Sequence, residues 1–406
     1  MAKSAEVVII GGGIMGVSLA FHLTKRGVRD VLVLEKHTVA AGASGKTGAL
    51  LRQHYTNVPE ATLAHLSLQT FRHWGDMVGG DCGYDGCGLI ATVATGPGYE
   101  ANADLLRRNV AMQQRVGIKT QVVTAAELHE LQPFGNFADL TVAAYEAESG
   151  FVDAVATTHS LARAAITGGA RLLEGVEVTS IRQSGERVVG VETSAGPIAA
   201  RVVVCAAGAW SVPLLKAVGI EAPIEAIRVQ VAILNHPLSM PPTGHMAYVD
   251  TAAGIFCRTW GPNRTMVGVG GGEFHDTVED PDHYHQGNDP GFPALAREYL
   301  SRRMPPMRES TYLYGHAGLY DMTLDTHPIL DRAPGLDGLY LMLGFSGAGF
   351  KKGLAIGQCM AELITAGRAS TVDLTPFRFS RFLDGSWKQP WSDTEYMMSS
   401  DFGHNF

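Results

Sequence analysis

Apolar and polar positions follow one kind of pattern at the two ends of the chain and another in the middle. Val7, Val8, Ile9 and Ile10 form an unbroken apolar run, which predicts a strand buried on both faces. A helix is predicted over 17–25, ended near Gly27, and a second buried strand over 31–34. Residues 61–74 (Leu63, Leu66, Leu68, Phe71, Trp74) predict an amphipathic helix, and 101–116 another with Arg107 and Arg108 on its exposed side. A strand is expected over 89–94. Thr124 and Glu127 have capping-box spacing and open a short helix to Leu131, which Pro133 ends. A helix over 151–170, opened near Asp153, leads into strands at 171–174, 176–183 and 188–193, with Gly185 in a turn, and a strand at 201–205. Such alternation of strand and helix predicts a doubly wound sheet.

Between about 223 and 320 the pattern changes. Short strand-like runs at 227–234, 246–249, 255–259 and 265–269 are separated by Pro- and Gly-rich turns and predict an antiparallel sheet in a separate layer. The first pattern returns at 339–343, followed by glycines and a helix to Thr365. The expected class is α/β, with α+β character overall: a discontinuous first domain (1–90, 145–222 and 321–382) and a second, mainly antiparallel one (91–144 and 223–320) inserted into it. Residues 383–406 form a tail whose Trp387, Trp391, Tyr396, Phe402 and Phe406 predict docking on the body, a neighbouring subunit or the site entrance.

The turn after the first strand adds chemistry. Gly11-x-Gly13-x-x-Gly16 lets the backbone turn sharply, approach a pyrophosphate and pack the helix on the strand, with the phosphate at the helix N-terminus. Glu35 ends the second strand about 20 residues on, where an acid meets a ribose hydroxyl. A dinucleotide is expected, FAD or NAD. Gly45, Lys46 and Thr47 imitate the end of a P-loop, but the required first glycine falls at Ala40 and no strand-to-helix junction is present, so a nucleoside triphosphatase is rejected.

The 406 residues, 46% hydrophobic, can bury a large core, and length alone suggests two to three domains. A net charge of −8 argues against nucleic-acid binding. Six residues before the first strand leave no room for a secretory or transit peptide, and no long apolar run predicts a membrane span. Five cysteines (82, 87, 205, 257 and 359) are few and odd in number, which fits a reducing cytoplasm. Cys82 and Cys87 lack a matching second pair. His275, His283 and His285 lie among acids in what reads as a solvated loop, so no metal is expected.

The dinucleotide turn, the loop 41–48, the helix start at 150–153, the segment 206–210 and the segment 344–351 together resemble the D-amino-acid oxidase (DAO) superfamily of FAD enzymes, within it the sarcosine oxidase and dimethylglycine oxidase-like branch. The resemblance runs to about Phe382 and favours FAD over NAD. It implies a Rossmann-type FAD-binding domain bearing a substrate-binding β layer. Gly11, Gly13 and Gly16 would hold the pyrophosphate, with Ile14, Met15 and Lys36 nearby and Glu35 at the ribose. Ser44, Lys46, Thr47 and Gly48 would run along the phosphates toward the flavin ring. Val178 or Val176 would meet the adenine side, and Ala207 and Gly208 would let the backbone approach. Gly347, Gly349, Phe350 and Lys351 would line the pyrimidine edge.

For substrate, the resemblance implies that Arg52 and Lys351 meet a carboxylate and that Tyr320 faces it; His54 is a candidate for taking the amine proton. Arginine suits this role because its planar fork matches a carboxylate in bidentate fashion. The implied reaction is oxidation of the C–N bond of a small carboxylate-bearing amine, sarcosine-like, by hydride transfer to FAD, with oxygen or another acceptor taking the electrons. A D-amino acid, glycine, a cyclic imino acid or a 2-hydroxy acid are alternative substrates. A flavin subunit of a larger homo- or hetero-oligomer and a non-catalytic flavin-binding or NAD-binding module are alternative roles. Three departures stand out. Gly318 replaces the cysteine of members with covalent flavin, so FAD is expected to be held non-covalently. Thr265 or Met266 stands where monomeric members have an oxygen-assisting lysine, and Ala49 replaces a flavin-contacting arginine.

Overall fold

A computed structural model describes residues 3–95, 98–241, 244–270 and 275–396. At its centre, strands Leu339–Leu343, Ile198–Cys205, Ser4–Ile10, Val31–Leu34 and Arg171–Leu173 lie side by side in that order, all parallel. Strand Ile329–Arg332 adds an antiparallel edge, and the hairpin of Val178–Ser184 and Arg187–Thr193 branches from residues 198 and 199. The apolar run at the N-terminus explains the layering. Val7 and Ile9 face one core with helices Ile14–Lys25, Ala154–Thr167 and Gly353–Ala366. Val8 and Ile10 face the other, with Val188, Val191, Leu214 and Leu215. Side chains alternate across a strand, so a sheet covered on both faces needs apolar residues at every position.

The second sheet is mostly antiparallel. Ile224–Asn235 pairs along its whole length with Thr311–Thr323, and on its other side with Arg264–Val269. Ile255–Thr259, Ala247–Asp250, Leu89–Thr92, Val142–Glu146 and Thr120–Thr124 complete the order, with one parallel contact between Ala247–Asp250 and Leu89–Thr92. Helix Phe292–Arg303 buries Phe292, Ala296 and Leu300 against it. Three strands cross the expected domain limits at 90, 144 and 320: Leu89–Thr92, Val142–Glu146 and Thr311–Thr323 all belong to this second sheet. The chain changes layer outside these strands, not within them.

Other expectations shift locally. The first helix begins at Ile14, inside the glycine turn. The helix expected over 151–170 spans Ala154–Thr167, because Gly150 and Phe151 pair with Leu51 and Leu50. Asp153 caps it by accepting the Ala156 N–H at 2.8 Å. The helix expected over 61–74 starts earlier, at Val58, where Asn57 accepts the Glu60 N–H. Among the described residues no helix is long and apolar enough to cross a membrane, and no cluster of His, Cys, Asp and Glu could hold a metal.

The tail docks on the body as far as it is described. Trp391 stacks on His327 with ring centroids 3.7 Å apart, and the Tyr396 hydroxyl lies 2.6 Å from His54 Nε2. Phe402 and Phe406 lie outside the described residues.

Candidate cofactor and substrate site

The strands Ser4–Ile10, Val31–Leu34 and Ile198–Cys205 end together where the connections diverge, and a cavity of about 390 Å³ opens there. Such switch points are where open α/β sheets bind ligands. Gly11, Gly13, Ile14, Met15, Glu35, Lys36, Ser44, Lys46, Thr47, Val178, Ala207, Gly208, Gly347, Gly349 and Phe350 all line it, with Tyr320 at one end. Val176 lines it beside Val178.

Gly16 does not line this cavity, contrary to its expected pyrophosphate role. A Cβ on Gly16 would come within 2.0 Å of the Gly11 carbonyl oxygen, so its bare backbone seats the helix on the turn. Gly11 itself has φ +111°, and a Cβ there would meet the Ala206 oxygen at 2.5 Å. The Glu35 carboxylate accepts N–H groups from Gly12 at 2.7 Å and His37 at 2.8 Å, which fixes it with lone pairs to spare. Loop 41–48 contains a helical turn, Ala43–Lys46, and the Ser44 hydroxyl accepts the Ile14 N–H at 2.9 Å.

The region read as a solvated loop is largely exposed, and Pro281, Asp282, Tyr284 and Gln286 also reach over the groove. Lys36 pairs with Asp282 and Glu177, and Trp210 Nε1 donates to Asp282 at 2.7 Å. Burial opposes the Lys36 charge, but Asp282 and Glu177 outweigh it and raise its pKa. Lys46 donates to Tyr284 and to Gln286. Asp282, Tyr284 and Gln286 line the cavity, and sequence offered little signal for them, since their partners are distant in the chain. Asp321 also escaped notice. It accepts the Gly344 N–H at 2.7 Å, and burial pushes its carboxyl up to about 6.

A second cavity of about 70 Å³ adjoins the first through Ala43, Lys46, Thr47, Leu319, Tyr320 and Gly347. Arg52 and Lys351 face each other's charge here, among Leu50, Val229, Val231, Val249 and Phe256. Gly48 and Lys351, expected along the cofactor, open on this smaller cavity. The chain turns between Gly48 and Leu50 because Ala49 has φ +50°, a left-handed conformation costly for a residue with a Cβ. Arg52 is buried, with its guanidinium 4.6 Å from the centre of the Tyr55 ring. Lys351 Nζ lies 3.4 Å from the Gly347 carbonyl, and burial, then Arg52 and Lys352, holds its ammonium well below its ordinary value. Burial pushes the Tyr320 phenol up to about 12, with Arg52 acting the other way.

Gly318 is part of the second cavity's wall, beside Lys46. Met266 is buried against Gly48, and Thr265 bonds to His236 and His245. Arg258, unremarked in the sequence, donates to the Gly48 carbonyl at 2.6 Å, with its guanidinium 4.3 Å from the centre of Phe151 and 4.5 Å from that of Trp260.

His54 does not line the second cavity. It lines a third cavity, of about 60 Å³, which shares only Arg52 and Val249 with the second. Burial, then Arg52, lowers its pKa to about 3, so it is neutral at working pH and hydrogen-bonded to Tyr396. A base for the substrate amine is therefore not to be sought at His54.

The residues present fit a dinucleotide. The glycine turn leaves no room for side chains where a pyrophosphate approaches, a helix N-terminus opens on the groove, and a fixed acid stands one strand away. The family described as FAD dependent oxidoreductase, DAO, matches residues 6–363. Human mitochondrial sarcosine dehydrogenase is 27% identical over 94% of this chain, which spans only 42% of that relative's length. The sarcosine oxidase subunit beta of Rhizobium meliloti is 26% identical, over 94% of this chain and 89% of its own. The crystal structure of L-proline dehydrogenase from P. horikoshii superimposes with a TM-score of 0.85 at 26% identity, covering 95% of this chain and 99% of the other. Groove, glycine turn and these relatives agree, and the chain belongs to the DAO family of FAD-dependent oxidoreductases.

Proposed function

We propose that the protein oxidises the C–N bond of a small amine that carries a carboxylate, an N-methyl amino acid such as sarcosine being the model substrate. The observation that carries this reading is Arg52 and Lys351 together in a small cavity that adjoins the cofactor groove and whose remaining wall is apolar apart from Lys46, Thr47, Tyr320 and Ser346. A carboxylate placed between them projects the rest of the molecule toward Tyr320 and Gly347, which border both cavities. The chemistry FAD supplies is acceptance of a hydride from the carbon beside the nitrogen, which leaves an imine that water hydrolyses. Arg52 and Lys351 orient the substrate, and fixing a reactant in this way can lower a barrier by on the order of 7–11 kcal/mol. No side-chain nucleophile is required.

Gly318 offers no thiol at the position of the covalent link, which supports non-covalent FAD. Thr265 and Met266 are buried and uncharged, which favours an electron acceptor other than oxygen. A cyclic imino acid is the second reading: the walls of Val229, Val231, Val249 and Phe256 suit a hydrocarbon ring, and the L-proline dehydrogenase structure resembles this chain over almost all its length. Likeness to a protein named as a subunit supports assembly with another chain as an alternative setting for the same chemistry. Cysteine usage supports a reducing compartment such as the cytoplasm. A screen of N-methyl amino acids, D-amino acids, cyclic imino acids and 2-hydroxy acids, with dye and with oxygen as acceptors, separates these readings. Turnover of hydroxy acids alone would overturn the amine assignment.

A further inference from the structure

The compartment behind Arg52 is built partly from the far C-terminus. Segment 391–396 is held at several points: Trp391 against His327, the Thr394 hydroxyl on the Thr56 carbonyl at 3.2 Å, and Asn109 donating to the Thr394 carbonyl at 2.9 Å. It ends with Tyr396, whose hydroxyl meets His54 Nε2 at 2.6 Å while the two rings stack 11° from parallel. His54 is two residues from Arg52, on the same short extended stretch, and Tyr396, His54 and Arg52 line one cavity. Because Arg52 borders that cavity and the substrate cavity alike, whatever fills the rear compartment determines how far its side chain can swing back.

We propose that Tyr396 is a positioning residue of the substrate site: by stacking on and hydrogen-bonding to His54 it closes the space behind Arg52 and keeps the guanidinium on the substrate side. The inference rests on the reading of Arg52 as the carboxylate anchor. The tail then contributes to substrate binding although none of its described residues lines the substrate cavity. A neutral His54 suits the role, since a charged imidazole beside Arg52 would repel it, whereas a neutral one can share a single hydrogen with the phenol.

The test is acetate binding to the FAD-loaded protein by titration calorimetry, in wild type, Tyr396→Phe, Tyr396→Ala and Asp393→Asn. Asp393 pairs with Arg108 on the surface and controls for loosening of the tail in general. Loss of the hydroxyl should weaken acetate roughly threefold and loss of the ring about tenfold, as expected for one hydrogen bond and then the packing as well. Flavin content should hold, Asp393→Asn should bind as wild type does, and KM for an amine substrate should rise with acetate Kd while kcat changes little. Unchanged acetate affinity in Tyr396→Phe and Tyr396→Ala overturns the role. Tyr396→Phe, which keeps the ring, decides alone if the alanine variant does not fold. Equal weakening by Asp393→Asn also overturns it, in favour of a general covering function. Failure of the wild type itself to bind acetate removes the carboxylate anchor and this inference with it.

Discussion

Arg52 and Lys351 share a cavity of about 70 Å³, and after burial the guanidinium is the largest influence holding the Lys351 ammonium below its ordinary value. Two cations in so small a space make an anion site whose second charge depends on the anion. A carboxylate between them opposes both influences and raises the Lys351 pKa again.

Carboxylate binding should therefore take up a proton. Before binding, the Lys351 pKa is depressed, and with the carboxylate in place it is higher. Between the two values the complex holds a proton that the free protein has released, so carboxylate affinity falls as pH rises through that window. Calorimetry in buffers of different ionisation enthalpy measures the uptake directly. No uptake at any pH at which the protein is folded would contradict the assignment of Lys351.

Arg52→Ala should weaken carboxylate binding by on the order of 2–3 kcal/mol, roughly 30- to 150-fold, since charge-assisted hydrogen bonds are lost. Arg52→Lys should recover only part of this, because an ammonium cannot reproduce the bidentate fork. Flavin content and the flavin spectrum should be unaffected, as Arg52 lies outside the cofactor groove. Loss of flavin with unchanged kinetic constants per remaining flavin would instead make Arg52 a cofactor residue.

Gly16→Ala should cost about 1–3 kcal/mol of stability and most of the bound flavin, although Gly16 does not face the cavity. The added methyl would sit 2.0 Å from a backbone oxygen, so the helix must move off the turn. Thermal unfolding and flavin content of the purified variant check both parts. Full flavin with wild-type stability would show that the helix can shift at little cost.

Glu146 offers a pH-dependent prediction away from the chemistry. Its carboxyl accepts from the Gln53 N–H and the Ser149 hydroxyl, yet burial pushes its pKa up from an ordinary 4.5 to about 7. Between those values the folded protein holds a proton that the unfolded chain releases, so this group's contribution to stability declines as pH rises through the window. The slope is roughly 1.4 kcal/mol per pH unit. Glu146→Gln should flatten that decline, and denaturant unfolding at pH values below and above the window would show it. An identical difference between variant and wild type at both pH values would contradict it.

Elements whose side chains are buried on both faces were legible in the sequence, because their apolar runs are unbroken: the strands of the parallel sheet and the helix after the glycine turn. Strand Thr311–Thr323 was not. Its first four residues are exposed and Gly315, His316 and Gly318 interrupt its middle, so only its pairing with Ile224–Asn235 defines it. Most of the residues expected along the cofactor line the larger cavity, for the same reason that motifs exist: a turn that must admit a pyrophosphate tolerates few residues. What could not be read was which cavity each flanking residue enters. Arg52 borders both the second and the third cavity, while His54, two positions on, borders the third and not the second, and Gly48 and Lys351 meet at the second from opposite ends of the chain. The strap around Asp282 and Tyr284 depends on partners more than seventy positions away, beyond any local pattern.

Anaerobic bleaching of the bound flavin by a panel of carboxylate-bearing amines, in wild type and in Arg52→Ala, tests the carboxylate anchor directly. At least one N-methyl amino acid or cyclic imino acid should bleach the wild type rapidly, and that bleaching should be lost at matched concentration in Arg52→Ala. Bleaching by amines that lack a carboxylate, undiminished in Arg52→Ala, would contradict that anchor.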